Sequence, residues 1–505
     1  MIQARWLIIF FAVLGMSVPS FAIDWSLGGF PSYMRTRTRV IDNATTSGER
    51  INVTDTTLRI TPQLGLSDAV TVRAQVDVAS NMVWGGVTSG FFGDNDSVVL
   101  SDLRPADRFR GALLTGGKTF DDDFGYFNVR MLHADIVLPN NLGFVRIGRQ
   151  PFDWGLGILA NGGHDPHSDL GFVVDRALWL KSFPAGAGTF TLVLVSDIFT
   201  QGTSLFASSE GTGYDILAAA GIYNQQMGDV NVTVGAYGFP YLHQQNVFSP
   251  GLGYNWDVDR TSLYSGLLVL KAANWSFTYE VQMFGGGEIT TGDLTALGGP
   301  DLSGVGAFEF DYAFDMAGRL EFYPSTMAQV SAIGIEGGWA QGDDASTALT
   351  IEGNALPFSP AYNVDNLLFK HVIPTIYQIE GSVINAIYAK AYANMSLAEN
   401  LAFTPQVLIA WNDETSAVSA FDSGLLGSGI ANDGTVEVDD YLGTEIEGTL
   451  SWTLHPGVNL DFIGSLVLAG DGLTGLLEQQ GATDPDDTIW AFQSRLMVYI
   501  DQFAK

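Results

Sequence analysis

The densest group of chemically capable side chains is His164-Asp165-Pro166-His167-Ser168-Asp169, with two imidazoles and two carboxylates in six consecutive positions. Those donor types suit a divalent cation, which makes His164, Asp165, His167 and Asp169 candidate metal ligands. No further anchoring cluster accompanies them, and short acidic turns are usually solvated, so a resident metal is not the expectation. His133 and Asp135, two apart on one strand face, are the nearest thing to a base and its orienting carboxylate. A hydrogen-bonded pair facing an interior is the simpler reading. The chain has no G-x-S-x-G, phosphate loop or dinucleotide fingerprint, and Gly65-Leu66-Ser67-Asp68 reads as a turn. The expectation is a protein that is not an enzyme and uses no cofactor.

The charges are few and one-sided. Of 505 residues, 46% are apolar and only 15% charged, yet the formal net charge is −32. Nucleic acid is excluded as a partner, because binding it requires a basic surface that releases counterions from phosphates. Most of the 23 basic residues lie at or before Lys181. Arg35, Arg37 and Arg39 share one parity beside Tyr33, and Arg59, Arg73 and Arg146 occupy polar parities of the segments that follow. In the second half the polar parities carry Glu280, Glu309, Asp311, Asp315, Glu321, Glu445 and Glu447, with Arg319 the main exception.

The elements that must position these residues are strands. Trp275, Phe277, Tyr279, Val281 and Met283 alternate with Ser276, Thr278, Glu280 and Gln282, and Phe308 to Met316 alternate with Glu309, Asp311, Ala313 and Asp315. Val70 to Val78 alternate with Thr71, Arg73, Gln75 and Asp77. Period-2 alternation puts one set on each face of a sheet. The strands are long, and the connections between them are short and long in turn. Short turns fall at Ser67-Asp68, Pro139 to Leu142, Pro184 to Gly188, Gly228-Asp229, Ala272 to Asn274, Pro324 to Thr326, Leu397 to Asn400 and His455 to Gly457. Long Gly, Asp, Ser and Thr-rich stretches run over Ser80 to Gly125, Gln341 to Thr375, Asn412 to Val436 and Asp471 to Asp487.

That asymmetry implies an all-β fold, a transmembrane antiparallel up-and-down β-barrel with short periplasmic turns and long extracellular loops. About 18 strands are counted, from Tyr33–Val40 to Ile489–Ile500, with 16 the alternative. Parity slips near Arg130 and between Val330 and Gly337 indicate bulges. Residues 1–22 read as a secretory signal, with Arg5, the apolar run Trp6 to Val18 and small residues before Ile23, leaving 23–505 as one barrel. The absence of cysteine means that disulfides do not hold it.

A barrel turns the charges inward, because an arginine facing lipid at mid-bilayer costs roughly 2–4 kcal/mol. Strand order then places a basic ladder on one wall and carboxylates on the opposite wall, with a field between them. Two readings remain: an open or partly gated lumen, which is the expectation, or charges that pair and close it like a plug. Asp94, Asp96, Asp121, Asp122 and Asp123, on a long loop, either bridge cations to lipopolysaccharide phosphates or are simply solvated.

The run Val145-Arg146-Ile147-Gly148-Arg149-Gln150-Pro151-Phe152-Asp153-Trp154-Gly155-Leu156-Gly157, continuing to Asn161-Gly162-Gly163, resembles a strand-to-loop signature of porin-like outer-membrane barrels of myxobacteria and their relatives. Leu58 to Val83 shares the resemblance. More distantly, Gly148-Arg149-Gln150 followed by Gly155 is similar to alginate-export-type porins, which implies 18 strands and an arginine-rich lumen. The C-terminal strand, Ile489 to Phe503, resembles the targeting strand of outer-membrane proteins, with Ala504-Lys505 following. Within this run Arg146 should face the lumen and Pro151 should end strand pairing. Trp154 should lie at the outer membrane interface, and the glycines should let the next loop fold into the lumen as a constriction.

The resulting expectation is passive diffusion of small hydrophilic solutes. Export of an anionic polysaccharide, or a barrel enzyme or surface-binding scaffold, is the alternative. The partners would be outer-membrane lipid, lipopolysaccharide and the barrel-assembly machinery, and the oligomeric state is not legible.

Overall fold

The computed structural model describes residues 24–27, 30–42, 50–84, 128–168, 171–201, 213–249, 254–285, 287–291, 308–310, 312–342, 357–377 except 360, 382–415, 438–479, 482 and 485–503. The proposed signal, the acidic loop positions between Asp94 and Asp123, Asp169 and Asp311 lie outside them, as does the side chain of Glu309.

The wall is one closed antiparallel sheet of 18 strands. In chain order they are β1 (Tyr33–Asp42, preceded by Asp24–Leu27), β2 (Ile51–Ile60 and Pro62–Ser67), β3 (Val70–Val83), β4 (Asn128–Val137), β5 (Phe144–Pro151) and β6 (Val173–Ala185). Next come β7 (Gly188–Gln201), β8 (Gly213–Met227), β9 (Val230–Ser249), β10 (Tyr254–Lys271), β11 (Trp275–Gly285 and Gly287–Thr291) and β12 (Phe308–Phe310 and Ala313–Phe322). The last six are β13 (Val330–Ala340), β14 (Ala386–Ala398), β15 (Leu401–Asn412), β16 (Tyr441–His455), β17 (Val458–Ala469) and β18 (Thr488–Tyr499). Each pairs with its chain neighbours, and β1 closes on β18 from Tyr33 opposite Tyr499 to Asp42 opposite Trp490. Closure leaves no free edge, as lipid requires of a β structure.

All eight short turns expected from the sequence lie between strands, and the long stretches lie at the other ends of the strands. Side chains trade places as the alternation demands. On β1, Tyr33, Arg35, Arg37, Arg39 and Ile41 are buried while Thr38 is exposed. Leu194, Leu217, Val234, Ile335 and Ile446 are exposed outside, with Phe183, Phe190, Phe322 and Trp452 near the short turns. Apolar exterior and aromatic ends fit a bilayer.

Both parity slips are bulges. The β3–β4 register shifts where Gln75 faces Met131 and Val76 faces Val129, stepping over Arg130. The β13–β14 register shifts between Val330 and Ala332.

Three stretches fold inward instead of out over the rim. They are residues 152–168, residues 357–377 (except 360) and 382–385 with a turn of π-helix Leu368–Val372 running into helix α1 (Ile373–Tyr377), and helix α2 (Asp471–Gln479). Ile158, Phe358, Leu367, Leu368, Ile373, Ile376, Leu473 and Leu476 from these stretches share one buried apolar cluster. Wall residues Ile41, Val53, Ala317, Ala340, Ala386, Leu408, Ala410, Val467 and Ile489 complete it. Small alanines on the wall leave room for the inserted segments, and each large apolar side chain withdrawn from water contributes about 1.5–3 kcal/mol.

Candidate functional site in the lumen

The inner wall is built from cross-strand ion pairs set by register. Arg37 faces Asp55, Arg59 faces Asp77, Arg146 faces Asp135, Arg176 faces Asp197 and Arg495 faces Asp461. The Asp55 carboxylate takes Arg37 Nε at 2.9 Å and Arg39 Nη2 at 2.7 Å, and Asp77 takes Arg59 Nε at 2.6 Å. Glu336 is bracketed by Arg319 on β12 at 2.6 Å and Lys390 on β14 at 3.2 Å. Its other oxygen accepts hydrogen bonds from Tyr362 Oη at 2.7 Å and Tyr388 Oη at 3.0 Å.

The basic ladder does face inward, but it is covered. Arg35 and Arg37 are 1% exposed, Arg59 2% and Arg39 4%. Arg35, Arg37, Arg39 and Arg59 therefore do not line an open lumen as expected: aspartates on adjoining strands answer the arginines, and segment 152–168 lies over them. Arg35 donates to the Pro166 carbonyl at 3.0 Å, Arg59 to Gly163 at 3.3 Å and Arg130 to Gly162 at 2.9 Å.

Glu280 and Glu445 hold the inserted segments from the other side, and Asp315 links wall strands. Glu280 accepts four backbone N–H bonds, from Leu156, Gly157 and Ile158 on Oε2 at 2.7, 3.0 and 3.3 Å and from Leu159 on Oε1 at 3.0 Å. Glu445 accepts from Leu368 N at 2.8 Å, and Asp315 accepts from Gln282 Nε2 at 2.6 Å and Gln341 N at 3.2 Å. The ladder therefore grips carbonyls of segment 152–168 while Glu280 grips its amides, each the partner its charge prefers. The two inserted segments also meet, through Ser359 N donating to Ile158 O at 2.6 Å.

Partly exposed charge remains near the short turns. Arg73 and Arg146, each with a side chain 29% exposed, share Asp135, at 3.3 and 2.6 Å. His133 Nε2 lies 3.4 Å from the same carboxylate. Glu447, on the inward parity of β16, accepts from Gln406 Nε2 at 3.3 Å and Thr449 Oγ1 at 3.2 Å. Glu321 accepts from Tyr392 Oη at 2.7 Å and Tyr323 Oη at 3.0 Å.

Trp154 is inside, which corrects the expectation of an interfacial ring. It is 7% exposed, packs against Tyr237 and donates Nε1 to Ser265 Oγ at 2.9 Å. Pro151 is the last residue of β5. An apolar inner wall of Val193, Val195, Ala218 and Ala220 receives this part of the loop.

The described members of the histidine cluster, His164, Asp165 and His167, make separate contacts. His164 pairs with Asp153 at 2.9 Å and stacks on Phe30 at 3.9 Å, while the Asp165 carboxylate accepts from His167 N at 2.8 Å. Among the described residues no group of three or more metal-ligating side chains forms. Beyond the inward parity of Asp77, local spacing did not single out Asp55, Asp197, Asp461, Glu336, Lys390 or Tyr362. Parity combined with strand register was the available signal for the wall residues.

A closed 18-strand wall, apolar outside and charged inside, has the architecture of a transmembrane β-barrel of the outer-membrane type. No family model and no curated protein matches the sequence. Among solved structures the chain is similar to OccK9 (OpdG) of Pseudomonas aeruginosa, with 11% identity and a TM-score of 0.46 over 94% of this chain and 97% of that one. It is also similar to OccAB1 of Acinetobacter baumannii, with 14% identity and a TM-score of 0.43 over 93% and 95%. The outer membrane channel DcaP of Acinetobacter baumannii matches with 10% identity and a TM-score of 0.39 over 95% and 99%. The class rests on this chain's own geometry; these likenesses carry no part of it.

Proposed function

We propose that the protein is a porin-like channel of the outer membrane through which small hydrophilic solutes diffuse passively, its passage narrowed by inward-folded segments. The observation that carries the reading is a lumen whose turn-side half retains partly exposed charge, Arg73 and Arg146 around Asp135, within a wall that is apolar outside. Water and polar solutes are the media such a face suits. Arg73, Arg146 and Glu447 then line the passage. Arg35, Arg59, Glu280 and Glu445 hold the narrowing in place, while Arg37 and Arg39 pair with Asp55 and Asp315 joins Gln282 to Gln341 within the wall.

The covered ladder speaks against a track for an anionic polysaccharide, which would need its arginines presented to the chain being moved. The test is a planar-bilayer recording of the refolded protein. Discrete voltage-driven current steps are expected, and silence at every voltage from a verified folded barrel would overturn the channel. In the same reading the first 22 residues are removed on export, so N-terminal sequencing of the outer-membrane fraction should begin at Ile23.

A further inference from the structure

We infer that Glu280 is a positioning residue that sets the constriction: its carboxylate clamps the loop at Trp154-Gly155-Leu156-Gly157-Ile158-Leu159 across the lumen and is used up in doing so. The inference rests on the channel reading and changes the role expected of Glu280, from a pore-lining charge to a structural anchor. Four amides converge on it from one turn of chain, three on Oε2 and one on Oε1. Glu280 is 0% exposed, so no part of its charge faces the passage. Successive amides wrapped around one anionic group form an anion nest, here filled by a side chain from the opposite wall.

The glycines of the loop are explained by the same contact. Gly155 has φ +56°, and a Cβ built there would lie 2.5 Å from Glu280 Oε2. Any side chain at position 155 would both strain the backbone and push the carboxylate out. Gly157, at φ +96°, completes the turn that aims the amides. Beyond the clamp, Trp154 seats against Ser265 and Ile158 enters the apolar cluster, so the position of the clamp determines where both anchors fall.

A pore-lining carboxylate and a clamp predict different outcomes. Glu280→Gln leaves one acceptor oxygen for four N–H donors and turns an NH2 against the rest, which weakens the clamp and removes the charge. Gly155→Ala breaks the clamp but leaves the charge, now released into the lumen. Gly228→Ala, at a short turn with φ +59° and nothing within 4 Å of its Cβ, is the control for backbone strain.

Amide hydrogen exchange across 155–160 in refolded protein should quicken by roughly tenfold or more in E280Q and G155A and stay unchanged in G228A. Single-channel conductance should rise in both clamp variants. G155A should be the more cation-selective of the two, because only it exposes a free carboxylate. Unchanged exchange in a folded E280Q barrel overturns the clamp. So does a shifted reversal potential with unchanged conductance, the signature of a pore-lining charge. Glu280→Asp, one methylene shorter with its charge kept, should retain part of the protection, and exchange as fast as in E280Q would count against the geometry. Quickened exchange with every variant and the parent silent in bilayers would uphold the clamp and remove the channel reading instead.

Discussion

Asp55 shows what a single inward residue does here. Fully buried, it neutralises Arg37 and Arg39 together, and removing one partner of a buried pair strands charge in a low-dielectric wall. Asp55→Ala should lower the unfolding free energy by about 3–5 kcal/mol, read from urea titration in detergent or lipid. A change within error would mean that the ladder is solvated after all. His167 offers a pH handle on segment 152–168. Burial pushes its imidazole down to about 4, with Arg495 and Arg35 also opposing a positive charge and Asp165 and Asp461 favouring one. A histidine in the unfolded chain takes its proton near 6.5, so protonation favours the loosened segment as acid is added. The stabilisation from neutral His167 is present above that value and is lost as pH falls toward 4. Hydrogen exchange over 161–168, corrected for intrinsic rates, should quicken between about pH 7 and about pH 4.5, and His167→Gln should flatten the change.

Among the elements, β13 and β14 show why glycine is needed within a strand. A Cβ at Gly338 would lie 2.4 Å from the Tyr388 ring and one at Gly334 would lie 2.2 Å from the Tyr392 ring, so each tyrosine lies over a glycine on the neighbouring strand. That placement lets Tyr388 reach Glu336. Gly338→Ala should displace the ring, break this hydrogen bond and cost about 1–3 kcal/mol by overpacking. Gly228→Ala, with open space around it, should cost about 1–2 kcal/mol, from its positive φ alone. Comparing the two in the same unfolding assay separates packing from backbone strain. At this scale much was legible in the sequence. The eight turns follow from local Gly, Pro, Asn and Asp chemistry, and the slips at Arg130 and Val330 are bulges because an extra residue shifts parity. Trp154 was misplaced because ring chemistry suits a lipid interface or a buried pocket equally well, and only the inward path of the loop distinguishes them.

For the whole molecule, closure of β1 on β18 is the defining event. Thr38 faces Ser494 directly across that seam, on the outward parity, in a chain without cysteine. Thr38→Cys with Ser494→Cys should form a disulfide joining first strand to last, giving a product whose gel mobility after boiling in SDS changes on reduction. Directly opposite positions lie about 4.5–5.5 Å apart at Cβ, within reach of such a bond after small adjustment. Failure of the pair to cross-link under oxidation, in protein that folds, would contradict this register.

Alternation, turn spacing and strand length act between near neighbours in the chain, so the barrel, its lipid-facing surface and the inward parity of Arg35, Arg37, Arg39, Glu280 and Glu445 were determined by the sequence alone. What those charges touch depends on strand register and on chain brought from more than a hundred positions away, as when Glu280 meets Leu156. Only the tertiary structure could decide that. Once the loops enter the barrel, backbone amides and carbonyls compete with water for the inward charges they reach. Where prearranged backbone groups win, as at Glu280 and Arg35, charges that local pattern assigns to a solvent-lined pore hold inward-folded chain instead.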